Sequence, residues 1–109
     1  MQIKRLELSE SEAAVMRCVW EHNGINGREI REMLKDKYGL IYAPNTIYTI
    51  IDHLKDKGYL IKKKSLGVME FYPNVEHKIY LYGLMQKICD DWFNGDWSEM
   101  ADWLKDKVV

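Results

Sequence analysis

Three apolar stripes at helical spacing stand in a row, each closed by a glycine, and two short β-like runs follow the third. The first stripe is Val15, Met16, Val19 and Trp20, within "LSESEAAVMRCVWEHNG". Ser9 is placed to cap that helix, Glu12 three residues on completes a capping box, and Asn23-Gly24 ends it. "INGREIREMLKDKYG" repeats the logic: Asn26 caps, Glu29 is its partner, Ile30, Met33 and Leu34 face inward, and Gly39 ends the helix. The third stripe lies in "APNTIYTIIDHLKDKGYLIKKK", where Ile47, Ile50, Ile51 and Leu54 fall at i, i+3, i+4 and i+7. Pro44 suits the first turn, because proline's fixed φ and missing N–H cost nothing there. Gly58 ends the helix. "YLIKKK" and "VMEFYP", separated by "SLG", then read as a β-hairpin. Three helices and a hairpin within about 65 residues follow the order of a winged helix-turn-helix.

"PNVE" breaks the pattern, and from Glu76 to Phe93 it is helical again. Leu81, Met85, Ile88 and Trp92 are spaced 4, 3 and 4 apart, a heptad-like seam that Leu84 and Phe93 widen. "FNGD" interrupts. Asp96 is placed to cap a last helix, with Glu99 as its capping-box partner and Met100, Trp103 and Leu104 on one side. These two helices are too apolar on one face to stand alone in water. They must bury that face on the first part or on another chain. The expected fold is therefore mostly α with a small β-hairpin: a winged helix-turn-helix domain over residues 1–75, then a C-terminal helical dimerisation segment over 76–109. Its expected contacts are Leu81, Leu84, Met85, Ile88, Trp92, Phe93, Trp97, Met100, Trp103 and Leu104. The stripe of Trp92, Phe93, Trp97 and Trp103 admits a second reading, the lining of a small-molecule pocket between the C-terminal helices, although an interface core is the commoner use of such residues.

The open side of the third helix carries different chemistry. Asn45, Thr49, Asp52 and Asp56 lie opposite the Ile/Leu stripe, flanked by Thr46, Tyr48 and His53. In helix-turn-helix proteins the second helix of the unit enters the DNA major groove, N-terminal end first. Base edges there present donors, acceptors and the thymine methyl, which Asn and Thr side chains can match. Lys62, Lys63 and Lys64 fall where a wing would meet a neighbouring phosphate or minor groove. The candidate DNA-binding residues are Asn45, Thr46, Tyr48, Thr49, His53, Arg28, Lys62, Lys63 and Lys64. Blander readings exist for several. The threonines could form a solvated face, Tyr48 could stack on a sugar or cover Ile51 and Lys55, and the lysines could be a solvated strand.

Charge supports this division. The chain has 109 residues, enough for one modest core, and a net charge of −1, so no overall cationic bias announces nucleic acid. Residues 1–75 nevertheless hold 12 lysines and arginines against 10 acids, while residues 76–109 hold 4 against 7. An anionic partner belongs to the first part. Cys18 and Cys89 are the only cysteines. Two thiols so far apart make neither a disulfide framework nor a metal site, and both read as buried free thiols in a reducing compartment. With no membrane-length apolar run and no apolar core in "MQIKRLELSESE", a cytoplasmic location is expected. His22, His53 and His77 have no acidic or cysteine neighbours at ligand spacing, so no metal is expected. There is no Ser/His/Asp or Cys/His order, no glycine-rich phosphate loop and no apolar carboxylate pair, so neither an enzyme nor a cofactor is expected.

"LSESEAAVMRCVWE", "GREIREML", "PNTIYTIIDHLKDKGYL", "EFYPNV" and "WFNGDWSEMADWL" resemble, in order and spacing, successive blocks of the penicillinase-repressor family of winged-helix regulators, the BlaI/MecI type. The most telling element is Thr46-x-x-Thr49 followed by Leu54 and Lys57-Gly58-Tyr59-Leu60. The resemblance implies a homodimeric repressor whose N-terminal domain binds double-stranded operator DNA and whose C-terminal helices pair the chains. It also implies a signalling metalloprotease that relieves repression of antibiotic-resistance genes. Where family members usually carry basic residues beside the threonines and an Arg one turn on, this chain has Asn45, Tyr48 and His53, with Asp52 added. Where the family wing usually has an Arg near its tip, this one has Ser65-Leu66-Gly67-Val68. A different operator is expected. The bond cleaved in the best-known members would fall near Lys87-Ile88, which does not match. An end soon after Leu104 is expected to shorten the dimerising part, and the cysteine cluster of the family's copper-responsive branch is missing. The alternative function is a winged-helix protein-interaction module that has lost strong DNA binding, made conceivable by Asp52, Asp56 and the missing arginines. A repressor with a small effector pocket is a further variant.

Overall fold

A computed structural model of the chain describes residues 8–108. Residues 1–7, part of the expected DNA-binding domain and of the segment examined for a signal peptide, and Val109 lie outside the described residues. The elements run α1 (Glu10–Glu21), β1 (Ile25–Asn26), α2 (Gly27–Tyr38), α3 (Pro44–Asp56), β2 (Leu60–Ser65), β3 (Val68–Pro73), α4 (His77–Trp92) and α5 (Trp97–Val108). They form two compact units that divide between Glu76 and His77. Among the described residues, no helix is long and apolar enough to cross a membrane.

The first unit is a winged helix-turn-helix. Its caps form as the sequence dictates. Ser9 accepts the Glu12 N–H while the Glu12 carboxylate accepts the Ser9 N–H, and Asn26 and Glu29 repeat the exchange on α2. Gly39 closes α2 at φ +67°, in the left-handed region that glycine enters freely. The stripes of the three helices meet: Val15, Met16 and Val19 of α1, Ile30 and Leu34 of α2, and Ile47, Ile50, Ile51 and Leu54 of α3 are all buried. Met33 is only half-buried, as is Trp20, whose indole N–H donates to the Val75 carbonyl at 2.7 Å.

The sheet has one strand more than the expected hairpin. β1 is two residues long and pairs antiparallel with β3, Ile25 opposite Phe71 and Asn26 opposite Glu70, so the order is β1-β3-β2. A two-residue strand is too short to show period-2 alternation; its trace in the sequence is one buried Ile between two helices. The hairpin itself is tighter than "SLG" suggests. Ser65 pairs with Val68, which leaves only Leu66 and Gly67 in the turn, and Tyr59 precedes the strand as a fully buried core residue.

The second unit is a pair of helices. α4 ends where the Cys89 carbonyl accepts the N–H groups of both Phe93 and Gly95, with Asn94 and Gly95 at positive φ. The Asp96 side chain caps α5 by accepting the Glu99 N–H at 3.1 Å. The expected capping box is not reciprocal, because the Asp96 N–H donates instead to the Phe93 carbonyl at 2.9 Å, inside the tight turn between the helices. Tyr82 stacks on Trp97 at 5.8 Å and Phe93 meets Trp103 edge-on at 6.0 Å. Tyr80, Cys89 and Met100 are buried. Met100 is thus a core residue of the single chain, and its expected place on the dimer face is set aside. Leu84 and Phe93 are half-buried, while Leu81, Met85, Ile88, Trp92, Trp97, Trp103 and Leu104 are exposed. Both cysteines are buried and free. Burial pushes the Cys18 thiol up to about 11 and raises that of Cys89, which leaves both protonated and inert.

Candidate nucleic-acid interface

α3 is held at both ends. Its last turn is tied to the start of α1: the Lys57 ammonium donates to the Glu12 carboxylate at 2.7 Å, and the same oxygen accepts the Ser9 N–H at 2.9 Å. Glu12 is a buried charge. Burial pushes its pKa up, but the Lys57 ammonium and the Ser9 hydrogen bonds outweigh this and hold it below the ordinary 4.5. At the other end, Tyr48 lies against α2. A Cβ on Gly27 would collide with the Tyr48 hydroxyl, so this position admits no side chain while Tyr48 stays where it is. Gly27, Arg28, Arg31, Pro44, Ile47 and Tyr48 line a hollow of about 250 Å³ there.

That packing gives Tyr48 a structural role beside its place on the surface. It lies against Gly27 at the N-terminus of α2, yet it stays 49% exposed and borders the open face. Asn45, Thr46, Thr49 and His53 are exposed on that face together with Asp52 and Asp56. The Thr49 hydroxyl donates to the Asn45 carbonyl at 3.0 Å, one turn back. Its only proton is thereby used, so Thr49 offers a base an acceptor oxygen and a methyl group but no donor. Arg28 is exposed and pairs with Glu32 at 3.3 Å. Arg31, which the sequence analysis leaves out, lines the same hollow. Nothing in its local pattern separates it from any other exposed helical arginine.

The three wing lysines do not form one ribbon. Successive residues of a strand face opposite ways. Lys62 and Lys64 stand opposite Phe71 and Met69, on the face where Phe71 is buried; Lys63 stands opposite Glu70, on the other face. Lys62 reaches back to α3, its amine 3.6 Å from the Asp52 carboxylate. Lys63 lies 5.1 Å over the Tyr72 ring, whose hydroxyl donates to Glu70 at 2.9 Å. Lys64 is the wing lysine nearest the tip on the α3 side. At the tip, Leu66 has φ +51° and Gly67 φ +82°. Positive φ at both residues is the type I′ form that matches strand twist and favours Asn-Gly. Leucine in this region costs about 1–2 kcal/mol.

Residues 8–108 match the family model described as Penicillinase repressor. The chain belongs to the penicillinase repressor family. It is 30% identical over 96 residues to the penicillinase repressor of Bacillus licheniformis, covering 87% of this chain and 73% of that protein. It is 27% identical over 104 residues to the methicillin resistance regulatory protein MecI of Staphylococcus aureus strain N315, covering 93% and 80%. The solution structure of the monomeric form of B. licheniformis BlaI in complex with the blaP half-operator matches with TM-score 0.55 at 30% identity, over 66% of this chain and 85% of that one. The DNA-binding domain of the repressor BlaI matches with TM-score 0.57 at 30% identity, over 70% and 90%.

Proposed function

We propose that this penicillinase-repressor family member is a homodimeric transcriptional repressor that reads a DNA operator with α3. It is a DNA-binding regulator and not an enzyme. The observation that carries the reading is the open face of α3: Asn45, Thr46 and Thr49 are exposed at the helix's N-terminal half, opposite a fully buried stripe, on a helix clamped by Lys57–Glu12 and Tyr48–Gly27. A clamped helix presents its side chains in one orientation, which base recognition requires. Asn45, Thr46 and Thr49 face bases. Arg28, Tyr48, His53, Lys62, Lys63 and Lys64 act on the backbone, Lys62 after releasing Asp52. The exposed row Leu81, Met85, Ile88 and Trp92 supports pairing of two copies, which would offer two α3 helices to a near-palindromic site. The BlaI/MecI resemblance also implies a signalling metalloprotease. The corresponding bond here, Lys87–Ile88, lies inside α4, and Lys87 pairs with Asp91 at 3.1 Å, so a protease would first have to open that turn. The effector-pocket and interaction-module readings gain nothing. The relatives are named as repressors, and one solved relative is in complex with a half-operator, which favours the DNA-reading form.

The test is binding to a duplex selected by the protein from a random-sequence library, followed by fluorescence anisotropy at several salt concentrations. Specific affinity should fall steeply with salt. Thr49→Ala should weaken it by about 1–3 kcal/mol and leave non-specific binding almost unchanged. A protein that enriches no sequence sinks the reading.

A further inference from the structure

The wing tip has a shape that the fold does not require. Leu66 is fully exposed, at 101%, and touches nothing that its burial could stabilise. It also stands at φ +51°, a conformation that leucine adopts only against its own sterics and that Asn or Gly would hold more easily. A strained, solvated leucine lowers both stability and solubility, which points to a use outside the free chain. Val68 and Met69 beside it are exposed as well, which makes the tip an apolar point on a strand that carries lysines.

Its place relative to α3 identifies the occupant. In the free chain Lys62 lies beside α3, its amine 3.6 Å from the Asp52 carboxylate, which sets where the wing leaves the helix. Leu66 lies four residues further on, roughly 13 Å along the hairpin. The major groove is about 12 Å wide. With α3 in that groove, a hairpin running out across the backbone would bring its tip to the adjoining minor groove and Lys64 level with the phosphates between them. Apolar side chains at such positions enter between base steps, unstack them partly and kink the duplex.

We infer that Leu66 is an apolar wedge that enters the minor groove beside the α3 site and bends the operator. This makes a flexible pyrimidine–purine step at that position part of the recognised sequence, with no hydrogen bond to any base edge. The inference rests on the reading of α3 as the major-groove element.

Leu66→Asn separates a wedge from a structural role, because Asn suits the turn. The variant should melt at the same temperature as the wild type or higher. It should bind the selected duplex about tenfold or more weakly, the order expected when a leucine side chain loses its burial, with the salt slope unchanged. Bending, read by fluorescence transfer between the duplex ends, should fall with it. So should the brightening of 2-aminopurine placed at the contacted step. Wild type and variant with equal affinity and equal bending overturn the wedge while α3 reading survives. A wild-type protein that binds the duplex without bending it does the same. A wild-type protein that selects no sequence removes the repressor reading and the wedge together.

Discussion

Met16, Ile30, Ile51 and Phe71 of the first unit are sealed from solvent, whereas the α4 row of the second runs 40% exposed at Leu81, 42% at Met85, 43% at Ile88 and 78% at Trp92. Both units are built from amphipathic helices with ordinary caps. The difference is the number of layers. Three helices and a three-stranded sheet give every stripe an opposing surface inside one unit, but two helices can cover only the sides they turn to each other. Tyr80, Cys89 and Met100 mark that limited core. An apolar stripe therefore states that something must cover it and does not state what. In the first unit the cover is intramolecular, which leaves polar α3 side chains on the exposed surface. In the second, the apolar side chains are the surface.

The contrast is most easily broken at Phe71, where β1, β3 and the buried face of the sheet meet. Phe71→Ala should destabilise the first unit by about 3–5 kcal/mol in chemical denaturation. A loss under about 1 kcal/mol would mean that the core lies elsewhere. Trp92→Asp should act oppositely. It should leave thermal unfolding of the first unit unchanged and weaken self-association by about 2 kcal/mol or more, roughly thirtyfold. Sedimentation at micromolar concentration checks it, and a variant of wild-type size would exclude this face as the interface.

A finer contrast lies within the DNA surface. Asp52→Asn removes an exposed negative charge from the α3 face and frees Lys62. Affinity for all DNA should rise and the salt slope should steepen by about one unit. An unchanged slope would place Lys62 away from phosphate. The smallest effect concerns the clamp on α3. The carboxyl of Glu12 is held below 4.5 by Lys57 in the folded chain, so its ionised form favours folding above that pH. Stability from this pair is lost as pH falls below 4.5 through the lowered value, when the carboxylate protonates. Lys57→Met should remove about 1 kcal/mol at neutral pH and make the loss between pH 5 and 3 shallower than in the wild type. Parallel melting curves across that range would show that the ion pair contributes nothing.

Much of the local chemistry was legible in the sequence. Ser9–Glu12 and Asn26–Glu29 span three residues, the Ile47 to Leu54 stripe spans two turns, and the hairpin is closed by its own turn, so each is decided by neighbours in sequence. Five ordered blocks carried the family for the same reason. What could not be read joins distant positions. β1 exists only because Phe71 and Glu70 arrive beside Ile25 and Asn26. Tyr48 lies on the Gly27 backbone, Lys57 meets Glu12 across 45 positions, and Lys62 turns back to Asp52. The sequence by itself determined which helices form, which faces they bury and which family they belong to, because caps and periodicity act over a few residues. Only the tertiary structure decided that β1 joins the sheet, that Tyr48 lies on Gly27, that Lys57 meets Glu12 and that Lys62 turns back to Asp52, because those depend on how the chain closes on itself through space.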